Sequence, residues 1–150
     1  MPKLNSRFLF HGLKPPSPYR SIDTAKDIPS LGLSSKKQDY ILAFTHQKQK
    51  IETSYQLWKD CDRGDPKALK KMEAYNRNDV VTLEVMYTIL RPWLSNHPNI
   101  AAYEDHASDR CPKCNGRLTW TKSRWATPTK LYPTFRCKSC GAVGRGRWAA

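Results

Sequence analysis

A pair of Cys-x-x-Cys motifs near the C-terminus is the strongest constraint on how this chain folds. Cys111 and Cys114 form the first motif, and Cys137 and Cys140 form the second. Thiolates are soft anionic ligands that suit Zn²⁺, and the two-residue gap lets both sulfurs of a motif reach one ion. Two disulfides or a redox motif are the alternatives, but the paired arrangement and the lack of an apolar secretion signal favour zinc. Because all four positions are cysteine, no coordination site is left for catalysis, and we predict a structural zinc ion.

The residues around these motifs, 110–150, are strongly basic. They contain ten Lys and Arg and no Asp or Glu, so they carry +10 of the formal net charge of +13. Aromatic residues alternate with the charges, and cations beside stacking surfaces are typical of proteins that bind single-stranded nucleic acid. A solvated basic surface, with the aromatics as a small core, is the alternative. The predicted nucleic-acid contacts, with DNA as the expected partner, are Arg117, Lys122, Arg124, Trp125, Lys130, Arg136, Arg145 and Arg147.

The part before residue 95 is predicted to be mainly helical, because its apolar residues recur at helical spacing between capping and breaking residues. The predicted elements are a helix at 4–9 ended by Gly12, a strand at 21–24, a helix from Ser34 or Ser35 to about Thr45 with Gln38 in a capping box, and a brief helix opened by Thr53 and Gln56 and ended at 62–64.

The longest predicted helix begins at Asp65 and Pro66 and ends near Leu90, before Pro92. Asp79 interrupts its apolar stripe. A carboxylate on the buried side of a helix is costly unless a metal, a cation or a hydrogen-bond donor compensates it. Alternatively, Asp79 lies at the rim and caps a neighbouring element. The predicted stripe is Leu69, Met72, Tyr75, Leu83, Met86 and Leu90.

Tyr75 and Asp79, followed by Val80, Leu83 and Glu84, resemble the third motif of DEDD-type 3′–5′ exonucleases of the ribonuclease H-like superfamily. The segments at 12–24, 58–65 and 90–93 are similar to a phage and bacterial branch whose members often end in a zinc ribbon. The resemblance implies an α+β chain: a partial, mainly helical ribonuclease H-like region at 1–94, a linker at 95–109 and a basic four-cysteine zinc ribbon at 110–150.

In such enzymes four carboxylates hold two divalent ions, Mg²⁺ or Mn²⁺, which activate water for phosphodiester hydrolysis. The resemblance assigns the last carboxylate to Asp79 and the tyrosine that orients the water to Tyr75. The first motif, Asp-x-Glu, has no counterpart here, and the second carboxylate would stand just before Met1. Asp23 lies in a segment that is structural in the family. We therefore expect the chain to be inactive alone, with a second chain supplying the missing N-terminal half.

Two functions without catalysis are alternatives. One is a stand-alone zinc-ribbon module that binds nucleic acid or a protein, and the other is an interaction protein whose helices dock on a host or replisome subunit. No apolar run is long enough to span a bilayer. With the resemblance, this predicts a location in the cytoplasm of a bacterium or a phage-infected cell. We expect Cys61 to be a lone, partly buried thiol, and His97, Asp105 and His106 to be solvated in the linker.

Overall fold

The computed structural model describes residues 2–17, 20–28, 31–48, 50–103 and 109–149. A helical N-terminal part precedes a small antiparallel sheet that carries the four cysteines, which confirms the predicted α+β class. None of the helices in these ranges is long and apolar enough to cross a membrane. The elements are α1 (Pro2–Phe10), α2 (Thr24–Asp27), α3 (Gln38–Phe44), α4 (Tyr55–Asp62), α5 (Pro66–Leu90), a 3-10 helix (Ile100–Tyr103), β1 (Leu118–Ala126), β2 (Leu131–Cys137) and β3 (Val143–Arg145).

Helix α1 ends as predicted at Gly12. Gly12 has a φ of +64°, a left-handed conformation that glycine adopts without steric cost. This turn lets the Leu13 N–H donate to the Phe8 carbonyl at 2.9 Å. The side chains of Leu9 and Phe10 are largely exposed, so α1 presents apolar surface to solvent.

The predicted strand at 21–24 is wrong, because the chain there begins helix α2. Asp23 is the N-cap of this helix, and its carboxylate accepts hydrogen bonds from the N–H groups of Ala25 and Lys26. Such a cap satisfies N–H groups that have no partner within the helix, and it favours a helical turn over a strand. Asp23 therefore has a structural role.

Helix α3 begins later than predicted and has no capping box. Its N-cap is Lys37, whose side chain makes no capping hydrogen bond. Instead of reaching back along its own helix, the Gln38 amide donates to Thr82 Oγ1 at 2.8 Å. The amide also lies 3.3 Å from the Asp79 carbonyl oxygen. A tertiary partner on α5 has thus replaced the predicted local one.

Helix α4 is capped by Ser54 rather than by Thr53. The Ser54 hydroxyl accepts from the Leu57 N–H at 3.3 Å, which is the usual N-cap interaction one residue later than predicted. The helix ends at Asp62, close to the predicted end, and Gly64 follows with a φ of +80°. Cys61 on α4 is half-buried and free, as expected.

Helix α5 has the predicted limits, but its buried stripe is rotated. Asp65 caps it by accepting from the Lys67 N–H at 3.1 Å. Leu69 and Leu83 of the predicted stripe are exposed, whereas Ala68 and Thr82 are buried with Met86 and Leu90. Helix α4 and helix α3 both pack against α5, so the two packing partners set the buried face. Asp79 lies on this rotated stripe, one turn before Thr82.

The core of the helical part forms where α3 and the end of α5 meet. Its buried side chains are Ile28, Ile41, Leu42, Met86, Leu90 and Leu94. His97, predicted to be solvated, is half-buried beside this core and lies 2.6 Å from the Tyr87 hydroxyl through its Nε2. Burial lowers the pKa of His97, which favours the neutral imidazole. Asp105 and His106 lie outside the described residues.

Residues 110–149 form the unit that we call the ribbon. Its sheet has the order β1-β2-β3 with antiparallel pairing throughout. The β1–β2 register shifts between Trp120 and Arg124, and the buried Thr134 of β2 faces this bulge. Thr134 Oγ1 donates to the Ser123 carbonyl at 3.0 Å, so the bulge is held by hydrogen bonds.

Among the described residues, two hydrogen bonds join the ribbon to the preceding segment. The Lys113 ammonium donates to the Pro92 carbonyl at 2.7 Å, just beyond the end of α5. The Ile100 N–H, at the start of the 3-10 helix, donates to the Pro112 carbonyl at 2.9 Å. The first cysteine turn therefore contacts the segment that the sequence predicts to be a linker.

Candidate metal centre and nucleic-acid interface

The four predicted cysteines come together at one end of the ribbon. Their Sγ atoms all lie within 4.8 Å of one another, with Cys111 and Cys140 at 3.8 Å and Cys114 and Cys137 at 3.4 Å. A tetrahedral zinc ion with Zn–S bonds of about 2.3 Å places its sulfurs about 3.8 Å apart. Disulfide sulfurs would be about 2.05 Å apart. The cluster therefore has the geometry of a zinc site and not of two disulfides.

Backbone N–H groups surround these sulfurs. Lys113 N–H donates to Cys111 Sγ and Gly116 N–H to Cys114 Sγ, both at 3.4 Å. The second motif repeats the pattern with Ser139 N–H and Cys137 Sγ, also at 3.4 Å. Such donors stabilise thiolates, the form in which cysteine binds a metal.

The acidity of the thiols follows from burial and from these donors. Burial raises the pKa of the Cys111 thiol. Burial opposes ionisation of Cys137 as well, but the N–H groups of Cys140 and Ser139 and the neighbouring thiols bring its pKa down to about 7. The cluster can thus hold a structural zinc ion, and four cysteine ligands leave no position for a substrate.

The two cysteine turns adopt a left-handed backbone conformation at equivalent positions. Asn115 and Gly141, each following the last cysteine of its motif, have φ values of +58° and +73°. In the first turn Asn115, and not the glycine that follows it, adopts this left-handed conformation. Gly116 is required for a different reason, because a Cβ there would lie 2.4 Å from Ser139 Oγ of the other turn. Glycine allows the two turns to approach closely enough to share one ion.

Four of the ribbon's polar and aromatic side chains share one face of the sheet. Residues paired across antiparallel strands point to the same side, and Trp125 pairs with Tyr132, while Arg145 pairs with Thr134. The Arg145 guanidinium lies over the Tyr132 ring, 4.2 Å from its centroid. Arg136, two positions beyond Thr134, projects from the same face. We call Trp125, Tyr132, Arg136 and Arg145 the stacking face.

The stacking face is open and carries unpaired positive charge. Trp125 is about half exposed (48%), and Arg136 and Arg145 are exposed. Among the described residues, no carboxylate forms an ion pair with a Lys or Arg of the ribbon. An exposed indole beside guanidinium groups can stack a base and contact a phosphate at the same time.

The other predicted contacts are spread around the ribbon. Arg124 pairs with Pro133 on the opposite face, Lys122 lies in the bulge of β1, and Lys130 lies in the turn between β1 and β2. Arg117 forms an isolated bridge with Arg110, and Arg147 follows β3. All five predicted side chains are exposed, so they can add positive charge without sharing a surface. The predicted contacts do not include Tyr132, although its position among the ribbon's aromatic residues could have indicated it.

Tyr75 and Asp79 lie one turn apart on α5, and both are half-buried. Asp79 Oδ1 lies 3.1 Å from the ammonium of Lys50, and both side chains are about one quarter exposed. The Asp79 carboxylate is the main reason why the pKa of Tyr75 is raised. The cation beside Asp79 in this structure is therefore Lys50, which the sequence analysis did not single out. The alternative that Asp79 caps a neighbouring element finds no support in helices α2 to α5, whose N-caps are Asp23, Lys37, Ser54 and Asp65.

Comparison with known proteins gives no family for this chain. No protein-family model matches it, and neither the curated proteins nor the solved structures include a significant match.

Proposed function

We propose that this protein binds single-stranded nucleic acid through its ribbon. The proposal rests on the stacking face, where Trp125, Tyr132, Arg136 and Arg145 project from the same side of the ribbon's sheet. Single strands offer unpaired bases for stacking and a flexible chain of phosphates for the cations. The surrounding cations Arg117, Lys122, Arg124, Lys130 and Arg147 add a field that attracts a polyanion.

Exposure favours binding over a purely structural role for these aromatics. Of the five ribbon aromatics only Phe135 is buried, while Trp120 and Trp125 are about half exposed and Trp148 is largely exposed. Three exposed indoles contribute little to a core, and each remains available for a base. DNA is the expected partner, and RNA is the alternative.

Replacing Trp125 with alanine tests the proposal directly. Because stacking on an aromatic side chain contributes about 1–3 kcal/mol per base, Trp125→Ala should weaken binding to an oligothymidylate by about tenfold or more. Trp125→Phe should retain most of the affinity. Fluorescence anisotropy with a labelled oligonucleotide measures both.

A matched control is Trp58→Ala on α4, where the indole is similarly exposed (55%). This variant should bind like the unchanged protein. Wild-type protein that binds no single strand at low salt, or equal losses in Trp58→Ala and Trp125→Ala, would contradict the proposal.

A second candidate is the function that the exonuclease resemblance implies. In this proposal residues 1–94 are part of a ribonuclease H-like region and the chain is the C-terminal portion of a metal-dependent 3′–5′ exonuclease. The shared face of Tyr75 and Asp79 supports it. Tyr75 lines a cleft of about 370 Å³ together with Asp39, Lys50 and Glu52. The Lys50–Asp79 ion pair, however, accounts for the half-buried acid without catalysis.

A nuclease assay with Mg²⁺ or Mn²⁺ on end-labelled single-stranded DNA tests the second candidate. We expect no shortening by the chain alone, because one family carboxylate cannot hold two metal ions. Addition of a chain carrying the missing carboxylates should restore activity that Asp79→Asn abolishes. Asp62→Asn on α4 is the matched control. Activity of the 150-residue chain alone that Asp79→Asn removes would refute the incomplete site.

A further inference from the structure

A concave surface of the ribbon lies on the sheet face opposite Trp125, away from the stacking face. It is a cleft of about 600 Å³ whose walls include the indoles of Trp120 and Trp148. The predicted nucleic-acid contacts include neither tryptophan. Trp120 pairs across the sheet with Phe135, whereas Trp125 pairs with Tyr132 on the other side. The cleft is therefore distinct from the stacking face.

The cleft has a rigid aromatic floor. The rings of Trp120 and Phe135 meet edge to face with centroids 5.6 Å apart, and Phe135 is buried. Close packing against two glycines holds this pair in place. A Cβ at Gly144 would lie 2.5 Å from the Phe135 ring, and a Cβ at Gly146 would lie 3.3 Å from the Trp120 ring. The indole of Trp120 is still half exposed toward the cleft side.

The rim supplies charge and hydrogen-bonding groups. Arg110 and Arg147 line the cleft, and neither forms an ion pair with a carboxylate of the described residues. Asn99 and Asp109 also line the cleft and contribute polar side chains. The hydrogen bond from the Ile100 N–H to the Pro112 carbonyl joins the segment that contains Asn99 to the ribbon. The cleft thus combines stacking surfaces, cations and polar groups at the junction of two segments.

We propose that this cleft binds one unpaired nucleobase of a single strand, stacked against Trp120 and Trp148, with the adjoining phosphate beside Arg110 and Arg147. The inference rests on the proposed function, because it names what the ribbon recognises beyond charge. Its volume falls in the range of about 300–1,000 Å³ that is usual for small-ligand sites. The flat apolar rings suit a base, and the side chains of Asn99 and Asp109 can pair with its polar edge.

Trp148 offers the cleanest test, because its side chain is largely exposed (78%), so its removal should leave the four-cysteine cluster and the sheet intact. Trp148→Ala should weaken binding to an oligothymidylate by about tenfold. Trp148→Tyr keeps an aromatic ring and should bind nearly as well as the unchanged protein. Trp93→Ala, at an exposed tryptophan beyond α5, is the matched control and should have no effect.

An abasic oligonucleotide of the same length separates base recognition from charge. It retains the phosphates but offers nothing to stack, so Trp148→Ala should bind it as well as the wild type does. Equal losses on both oligonucleotides, or no loss on the oligothymidylate, would overturn the base pocket while leaving the proposed function standing. A wild-type protein that binds neither oligonucleotide would instead overturn the proposed function itself, and the pocket with it.

Discussion

Cys111→Ser is expected to unfold the ribbon and abolish zinc binding. Cys111 is fully buried, and its sulfur lies between the two cysteine turns. Serine cannot supply the thiolate, and structural zinc contributes about 10–16 kcal/mol to the folding of small zinc-binding modules. The ribbon's own core is too small to replace that contribution, since the buried cluster at the site consists of Cys111, Cys137 and Ala142.

The helical part should survive this substitution, because it has a separate core around Ile41, Leu42 and Leu90. Metal analysis should give one zinc ion per wild-type chain and none in the variant. Circular dichroism should show that most helical signal remains, while limited proteolysis should remove the ribbon. Chelation of the wild type should reproduce this pattern.

Cys61→Ser provides the matched control. Cys61 is a free cysteine on α4, outside the cluster, and its replacement should leave the zinc content unchanged. A wild-type chain that binds no zinc, or a Cys111→Ser chain that retains zinc and a protected ribbon, would contradict the structural metal centre.

Neutralising the two arginines of the stacking face should produce the next largest effect. Arg136→Gln with Arg145→Gln removes two cations that have no carboxylate partner among the described residues. Each phosphate contact to a single strand contributes about 0.7 to the slope of log affinity against log salt concentration, so the slope should fall by about 1.4. Affinity for an oligothymidylate at low salt should fall by roughly tenfold or more.

The double variant Lys70→Gln with Lys71→Gln makes the same change in net charge on the exposed side of α5. Binding isotherms at several salt concentrations should show no change in its slope. If this control lowers the slope as much as the arginine variant does, the strand is held by the general charge of the protein and not by the stacking face.

The resemblance to exonucleases remains a prediction for the helical part. Before Leu118 the described residues form helices and no sheet strand, so the structure includes no sheet on which a ribonuclease H-like site would be built. Leu9 and Phe10 on α1 and Val80 on α5 are exposed, so both helices present apolar side chains to solvent. The nuclease assay with a complementing chain is the experiment that decides this.

The sequence alone predicted those features of the structure that depend on residues close together in the chain. The paired Cys-x-x-Cys motifs predicted the metal cluster, since a two-residue gap brings two sulfurs to one ion. Asp65 with Pro66 predicted the start of α5, and Gly12 the end of α1, because capping and left-handed turns depend on a few neighbouring residues. The net charge of the ribbon follows from the numbers of its basic and acidic residues.

Only the tertiary structure decided which distant groups meet. Gln38 contacts Thr82 instead of its own helix, and the ammonium of Lys50 lies 3.1 Å from the Asp79 carboxylate. The same holds for the ribbon, where strand register and a bulge place Trp125 beside Tyr132 and put Trp120 on the opposite face. These pairings depend on how whole elements pack and align, and a single register step would move every side chain to the other face of the sheet. Local spacing therefore determined the metal site, whereas long-range packing determined the surfaces that we propose to bind nucleic acid.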